Sequence, residues 1–183
     1  NFENGKMPAG YIVGDSWFIS DFPLQANLPN NIYCAQAQYD VEPTRLITPM
    51  LKVKSGDVLH FDAARRDDAT FLRVYYSTDR KSWTLAHTIE GTGTDNNTFS
   101  PFNLISDSRY SGEFRSYAVE NLPAGNLYLA FESAGARLDN IYGMGYAKIS
   151  HDVMFQLLNL PTVATVNSES QASVRIVNNH PAD

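Results

Sequence analysis

The chain has 183 residues, of which 43% are hydrophobic and 12% aromatic, and it carries a formal charge of −6. This length fits one domain with part of another, and the apolar content suffices for a packed core, which excludes a disordered chain. An acidic balance without a basic cluster excludes nucleic acid as the partner. No run approaches the ~18 apolar residues that a membrane span needs, so we expect no membrane insertion.

Short runs of β-branched and aromatic residues, bounded by Gly, Pro, Asn, Asp and Ser, predict many strands and few helices. In chain order, the strands are expected near residues 10–19, 31–38, 45–53, 57–64, 70–78, 83–89, 113–120, 126–133, 138–149, 152–159 and 172–178. Apolar and polar residues alternate most clearly in the fourth, fifth and eighth of these. The residues expected to share one core are Leu59, Phe61, Leu72, Val74, Leu129 and Phe131. We therefore predict an all-β fold, a jelly-roll β-sandwich of two antiparallel sheets.

Two segments depart from this regular pattern. Residues 90–112 are rich in Gly, Thr, Asn and Ser and lack alternation, which predicts a long loop of the kind that often binds ligands. After His151 the strand pattern restarts, but two strands cannot bury a sheet of their own. We expect a jelly-roll domain at 1–150, followed at 151–183 by the opening strands of a second β-module or by a packed C-terminal arm.

No familiar catalytic motif is present: neither a nucleophile elbow, nor a zinc-protease helix, nor a phosphate-binding loop. Cys34 is the only cysteine, and its strand-like surroundings favour a small buried hydrophobe over a reactive thiolate. A glycosidase needs two carboxylates at a set separation. The available acids are Asp67, Asp68, Glu113, Glu132 and Asp139, and nothing in the sequence pairs any two of them. We predict that the chain is not an enzyme, with a carboxylate-based glycoside hydrolase as an alternative.

The sequence Ser77-Thr78-Asp79-Arg80, followed by Trp83, predicts a hairpin turn. The side chains of Ser77 and Asp79 accept hydrogen bonds from backbone amides in such turns. The segment is similar to S-x-D-x-G-x-x-W turns, with Lys81 where glycine is usual. We interpret it as a structural turn.

Aromatic side chains on exposed faces are the candidates for ligand binding, because sugar rings stack on aromatic rings. The candidates are Trp17, Tyr39, Tyr75, Tyr110, Tyr142 and Tyr146. Most large aromatics are buried in folded proteins. We retain Trp17, Tyr39, Tyr110 and Tyr142 as the predicted ligand-binding residues.

Five segments, in order, resemble the cleaved-adhesin and choice-of-anchor J group of jelly rolls, which are similar to MAM domains. They are the opening Phe2-Glu3-Asn4-Gly5 with Pro8-Ala9-Gly10-Tyr11, then Leu46-Ile47-Thr48-Pro49, the Tyr76–Asp79 turn with Trp83, Leu122-Pro123-Ala124-Gly125 before Tyr128-Leu129-Ala130-Phe131, and Leu138-Asp139-Asn140-Ile141. Together they span residues 1–149. The chain departs from the pattern at Tyr11, where tryptophan is usual, and at the glycine-poor turn Arg80-Lys81.

This resemblance implies a non-catalytic, adhesin-like module of a secreted or cell-surface protein of the Bacteroides group, as in the haemagglutinin-adhesin regions of gingipains. The expected partner is a glycan or a host or matrix protein, beside neighbouring domains of a larger secreted protein. The alternative function is that of a structural spacer that positions a neighbouring peptidase or glycosidase. Such domains are often followed by Ig-like modules, which residues 151–183 resemble. The group often holds a structural Ca²⁺, which by position carries over to Glu3 and Asp139.

Overall fold

The computed structural model describes residues 2, 4–20, 33–38, 41–65, 71–92, 95–99, 102–104, 110–112, 114–147, 153–159 and 173–178. The strands in these ranges are β1 (Ile12–Val13), β2 (Trp17–Ser20), β3 (Cys34–Ala37), β4 (Thr44–Ile47), β5 (Leu51–Val53), β6 (Leu59–Arg65), β7 (Phe71–Ser77), β8 (Thr84–Thr92), β9 (Thr98–Phe99), β10 (Phe102–Leu104), β11 (Tyr110–Gly112), β12 (Arg115–Val119), β13 (Gly125–Ser133), β14 (Ala136–Tyr142), β15 (Gly145–Tyr146), β16 (Val153–Asn159) and β17 (Ser173–Asn178). None of the described ranges contains a helix long and apolar enough to cross a membrane.

Two sheets form the body of the fold. The larger sheet has the order β1-β4-β13-β7-β8-β9, with β5 joined to β13 and β15 joined to β5. The smaller sheet has the order β12-β6-β14-β3-β2. Neighbouring strands are antiparallel except β8 and β9, which run parallel. The predicted all-β sandwich of two antiparallel sheets is confirmed, with this one parallel pair at an edge.

The hydrophobic core lies between the two sheets. All six residues expected to share it are buried: Leu59, Phe61, Leu72, Val74, Leu129 and Phe131 are each at most 1% exposed. Phe61 of the smaller sheet meets Phe131 of the larger sheet edge to face, with ring centroids 5.3 Å apart. Because side chains alternate between the faces of a strand, the residues between these ones point away from the core.

Three of the expected strands are divided in the structure, and one of them is the strand expected at 138–149, which becomes β14 and β15. The strand expected at 10–19 becomes β1, which pairs with β4 of the larger sheet, and β2, which pairs with β3 of the smaller sheet. The chain crosses between the sheets at Gly14, where a Cβ would lie 2.9 Å from the carbonyl oxygen of Arg45. The strand expected at 45–53 is likewise split into β4 and β5 around Pro49, which has no N–H to donate to a sheet ladder.

The prediction of one long loop at 90–112 is wrong in part. Strand β8 extends to Thr92, and β9, β10 and β11 lie within this segment. These three strands have two or three residues each, too few for alternation to register in the sequence. Backbone hydrogen bonds stabilise this segment. For example, the Glu90 N–H of β8 donates to the carbonyl of Asn97, which directly precedes β9, at 2.8 Å.

Contacts divide the chain into two compact units, Asn1–Ala147 and Lys148–Asp183. The first unit contains both sheets. In the second unit, β16 and β17 form an antiparallel hairpin in which Phe155 is paired with Ile176. The two strands expected after His151 are therefore present. That this unit opens an Ig-like module stays a prediction.

Candidate functional site

A pocket of about 170 Å³ lies at one end of the sandwich. It is lined by Tyr11, Thr48, Leu51, Leu59, Ile141, Tyr142, Gly143, Met144 and Tyr146. These residues come from both sheets, since Leu59 belongs to β6 and Leu51 to β5. The pocket is smaller than typical drug-sized ligand sites, which begin at about 300 Å³, so it fits a small group or one ring of a larger ligand.

The turn between β14 and β15 builds one wall of this pocket. Gly143 has φ +102°, and a Cβ on it would collide with the carbonyl oxygen of Val58. Only glycine allows both this backbone conformation and this close approach. The chain then passes from the smaller sheet to the larger one, where Gly145 and Tyr146 of β15 pair with Lys52 and Leu51 of β5.

Two tyrosines at this pocket are largely exposed to solvent. Tyr142 is 59% exposed and Tyr146 is 66% exposed, although both belong to strands. The Tyr142 ring stacks on the His60 ring, with centroids 5.0 Å apart and an interplanar angle of 15°. A ring supported on one face and open elsewhere is a rigid surface on which a ligand can stack.

Tyr11 lies deeper in the pocket. Burial, and secondarily the nearby Tyr146 phenol, raise the pKa of Tyr11 above its usual range. The hydroxyl therefore stays protonated at neutral pH and can both donate and accept a hydrogen bond. The pocket thus combines aliphatic side chains, such as Leu51 and Leu59, with a buried phenol and two exposed phenol rings.

Among the other predicted ligand-binding aromatics, Trp17 is the one whose side chain the structure describes. Trp17 is 4% exposed and packs in the core, and its indole N–H donates to the Thr44 carbonyl at 2.9 Å. The expectation that Trp17 lies on an exposed face is therefore wrong, because the side chain belongs to the hydrophobic core. Tyr110 is the first residue of β11, and Tyr39 lies outside the described residues. Of the four predicted residues, only Tyr142 is seen at this pocket.

Asp139, one of the two predicted calcium ligands, is fully buried in β14 of the smaller sheet. One of its carboxylate oxygens accepts the Asn140 N–H at 2.7 Å. Asp62 lies opposite it in register, and the Asp62 carboxylate accepts hydrogen bonds from Ser116 and from the Asn140 side chain. Glu3 lies outside the described residues. Within the ranges that are described, no three His, Cys, Asp or Glu side chains come together as a metal site.

The two candidate catalytic acids that the structure describes are far apart. Glu132 alternates with core residues of β13 and faces outward from the larger sheet, where it binds Arg45. Asp139 follows the core residue Leu138 and faces outward from the smaller sheet. Packed sheets are about 10 Å apart, so two acids that point away from the core exceed the roughly 5–9.5 Å of a glycosidase pair. Asp67, Asp68 and Glu113 lie outside the described residues.

Of the residues that line this pocket, the sequence analysis retained Tyr142 for binding and considered one other. Tyr146 was a candidate, while Tyr11 and Met144 were not singled out for binding. A signal was present in Tyr142-Gly143-Met144-Gly145-Tyr146, where glycines alternate with large side chains. Such glycines indicate a tight reversal that brings the flanking aromatics close together. Cys34 is fully buried, as its strand context predicted.

No family model and no curated protein matches this chain. Among solved structures, the K1 cleaved adhesin domain of Lys-gingipain from Porphyromonas gingivalis W83 has a TM-score of 0.55 and 23% identity. That match covers 76% of this chain and 92% of the adhesin domain. The K2 cleaved adhesin domain of Lys-gingipain has a TM-score of 0.50 and 19% identity, over 73% of this chain and 88% of that domain. The resemblance predicted from the sequence is thus confirmed at the level of the fold: this chain has the β-sandwich fold of the cleaved adhesin domains.

Proposed function

We propose that the chain is a non-catalytic binding module of an extracellular protein, and that it recognises a glycan at the pocket of Tyr11, Tyr142 and Tyr146. The observation that carries this proposal is the exposure of Tyr142 and Tyr146, at 59% and 66%, beside a pocket in a rigid sandwich. Exposed aromatics on a fixed backbone lose little entropy on binding, which favours recognition by stacking.

The shared fold supports the extracellular and adhesin-like parts of this proposal, since the similar solved domains are adhesin domains of Lys-gingipain. A fold alone does not assign a function, and glycan recognition is inferred from the pocket. The outward-facing positions of Glu132 and Asp139 on opposite sheets speak against their use as a catalytic pair. A host or matrix protein as the partner, and a purely structural spacer, are the outcomes that the experiment has to separate from glycan binding.

The test is a glycan array probed with the whole chain, followed by titration of any neutral glycan that is captured. Tyr142→Ala and Tyr146→Ala should each weaken binding about tenfold or more, because one stacked ring contributes about 1–3 kcal/mol. Phe18→Ala is the matched control, since Phe18 is an aromatic that is 43% exposed on edge strand β2.

Three results bear on the proposal. Loss of binding in both tyrosine variants with normal binding in the control supports the pocket. Capture of no glycan, together with capture of a matrix protein, favours the protein partner and contradicts glycan recognition. Glycan binding that survives the double variant Tyr142→Ala, Tyr146→Ala places the site elsewhere on the molecule.

A further inference from the structure

The outward face of the larger sheet carries arginines and aromatic side chains in contact with one another. We call this surface the arginine–aromatic face, and it consists of Arg45, Phe71, Arg73, Tyr75, Arg80, Trp83, Tyr128 and Glu132. Strand β7 supplies Phe71, Arg73 and Tyr75, which alternate with the core residues Leu72 and Val74. The face is distinct from the tyrosine pocket and shares no residue with it.

Each of the three guanidinium groups lies over at least one aromatic ring. Arg45 is 4.5 Å from the Tyr75 ring centroid and 5.4 Å from that of Trp83. Arg73 is 4.1 Å from the Phe71 centroid, and Arg80 is 4.9 Å from the Tyr128 centroid. These distances are within the range of cation–π attraction. A guanidinium that rests on a ring keeps its planar N–H edge available for the two oxygens of a carboxylate or sulfate.

The exposed Glu90 of β8 borders this face directly opposite Phe71, and Glu132 is its central acidic member. Its carboxylate lies 2.8 Å from Arg45 and 3.9 Å from Arg73, and it also accepts a hydrogen bond from the Tyr75 hydroxyl at 3.1 Å. One carboxylate therefore serves two arginines, and Arg80 adds a third cation. With Glu90 counted, the face has an excess of one positive charge, although the whole chain carries −6. This local reversal of charge makes an anionic partner complementary to the face.

Arg80 adopts a backbone conformation that favours glycine. Its φ is +60°, and its N–H donates to the Ser77 hydroxyl at 2.9 Å. The left-handed conformation costs an L-residue about 1–2 kcal/mol, which glycine would avoid. The chain instead has an arginine at this position, and its guanidinium lies over Tyr128 at one end of the face.

The length of strand β7 and the pairing of both its edges indicate which kind of partner fits the face. The seven residues of β7 extend roughly 20 Å, which exceeds one sugar ring and suits several units of a polymer. Strand β7 is paired on one side with β13 and on the other with β8, so no backbone edge is open there for an added peptide strand. Recognition must therefore use side chains, and aromatic rings with arginines suit sugar rings that bear acidic groups.

We propose that the arginine–aromatic face binds an acidic polysaccharide, one that carries carboxylate or sulfate groups. Sugar rings pack against the partly exposed edges of these aromatic rings, and the N–H edges of Arg73 and Arg80 bind the acidic groups. This inference goes beyond glycan recognition at the tyrosine pocket and does not depend on it.

The test measures binding of the whole chain to polygalacturonate and to dextran sulfate, with uncharged dextran as the reference polymer. Binding to at least one acidic polymer should weaken as NaCl is raised, and uncharged dextran should not bind at this face. The double variant Arg73→Gln, Arg80→Gln should reduce affinity about tenfold or more.

The matched control is Lys6→Gln, Lys54→Gln, which removes the same charge from exposed positions outside the face. Normal affinity in this control and in Tyr142→Ala, Tyr146→Ala supports the assignment to the arginine–aromatic face. An equal loss in the lysine control means non-specific charge attraction and overturns the proposal, as does failure to bind either acidic polymer. Equally tight binding of poly-glutamate with the same arginine dependence identifies an acidic polypeptide as the partner and also overturns it.

Discussion

Asp79 shows how one side chain holds a turn of this sandwich. Its carboxylate accepts the N–H groups of Lys81 and Ser82 at 2.8 and 2.9 Å and the hydroxyl of Ser77 at 3.0 Å. Because these donors favour the charged form, the Ser82 and Lys81 amides foremost, the pKa of Asp79 is lowered. The structural role that the sequence predicted for this turn is thus explained by side-chain bonds to the backbone. The left-handed position falls at Arg80, one residue before Lys81, where glycine was expected.

This lowered pKa makes the turn sensitive to acid. A carboxyl whose folded-state pKa is depressed contributes stability above its unfolded pKa of about 3.9, and that stability is lost as the pH falls through the folded value. Asp79→Asn should therefore reduce the part of the pH dependence of unfolding that lies below about pH 4. Urea titrations at pH 7, 4 and 3 measure this, with Asp15→Asn as a control for the loss of one exposed carboxylate. An identical acid dependence in Asp79→Asn and the parent chain would contradict the expectation.

Strands β6 and β13 join the two sheets through their aromatic side chains. Phe131 of β13 meets Phe61 of β6, and Phe61 in turn stacks on Tyr117 of β12 at 5.7 Å. This row of rings crosses the core from one sheet to the other. The neighbouring Glu132 points to the opposite side of the larger sheet instead.

Truncation of Phe131 to Ala should lower the free energy of unfolding by about 3–5 kcal/mol, because it removes buried apolar surface and leaves a cavity between the sheets. Denaturant titration measures this change. Leu85→Ala is the control, since Leu85 is 51% exposed on β8, and its loss should stay within about 0.5 kcal/mol. A change below about 1 kcal/mol for Phe131→Ala would show that the core tolerates the cavity, against the usual range.

The prediction of calcium binding belongs to the scale of the whole first unit, because the predicted ligands come from the opening segment and from β14. Two carboxylates with backbone carbonyls supply the hard oxygen ligands that Ca²⁺ prefers. An ion that binds only the folded state raises the melting temperature as its free concentration increases. We therefore expect a higher midpoint in excess CaCl₂ than in EGTA, and no such difference in Asp139→Ala.

Since Asp139 is buried, Asp139→Ala also tests its structural role, and the comparison has to be made within each variant. Glu3→Gln is the second variant, because its effect on the calcium response does not depend on burial of Asp139. A melting midpoint that is the same in EGTA and in CaCl₂ for the parent chain would contradict calcium binding by this domain.

The architecture was predictable because β-strands of sufficient length show a local pattern of residues in the sequence. The two-residue period of a strand places alternate side chains on opposite faces, so Leu72 and Val74 could be assigned to one core before the pairing was known. Turn chemistry is equally local, as in Ser77 and Asp79, whose side chains bond to the next few amides. Strands of two or three residues, such as β9, are too short to show this pattern.

The binding surfaces were not predictable to the same degree, because exposure depends on which strands become neighbours. Trp17 and Tyr142 are both aromatic residues in strands, yet β2 places one in the core and the turn at Gly143 places the other at the surface. Pairing of β15 with β5 brings Tyr146 to the pocket, and pairing of β4 with β13 brings Arg45 within reach of Tyr75. The sequence alone therefore determined the longer strands and their buried faces, which follow from local alternation. The tertiary structure decided the pocket and the arginine–aromatic face, because both depend on contacts between residues distant in the chain.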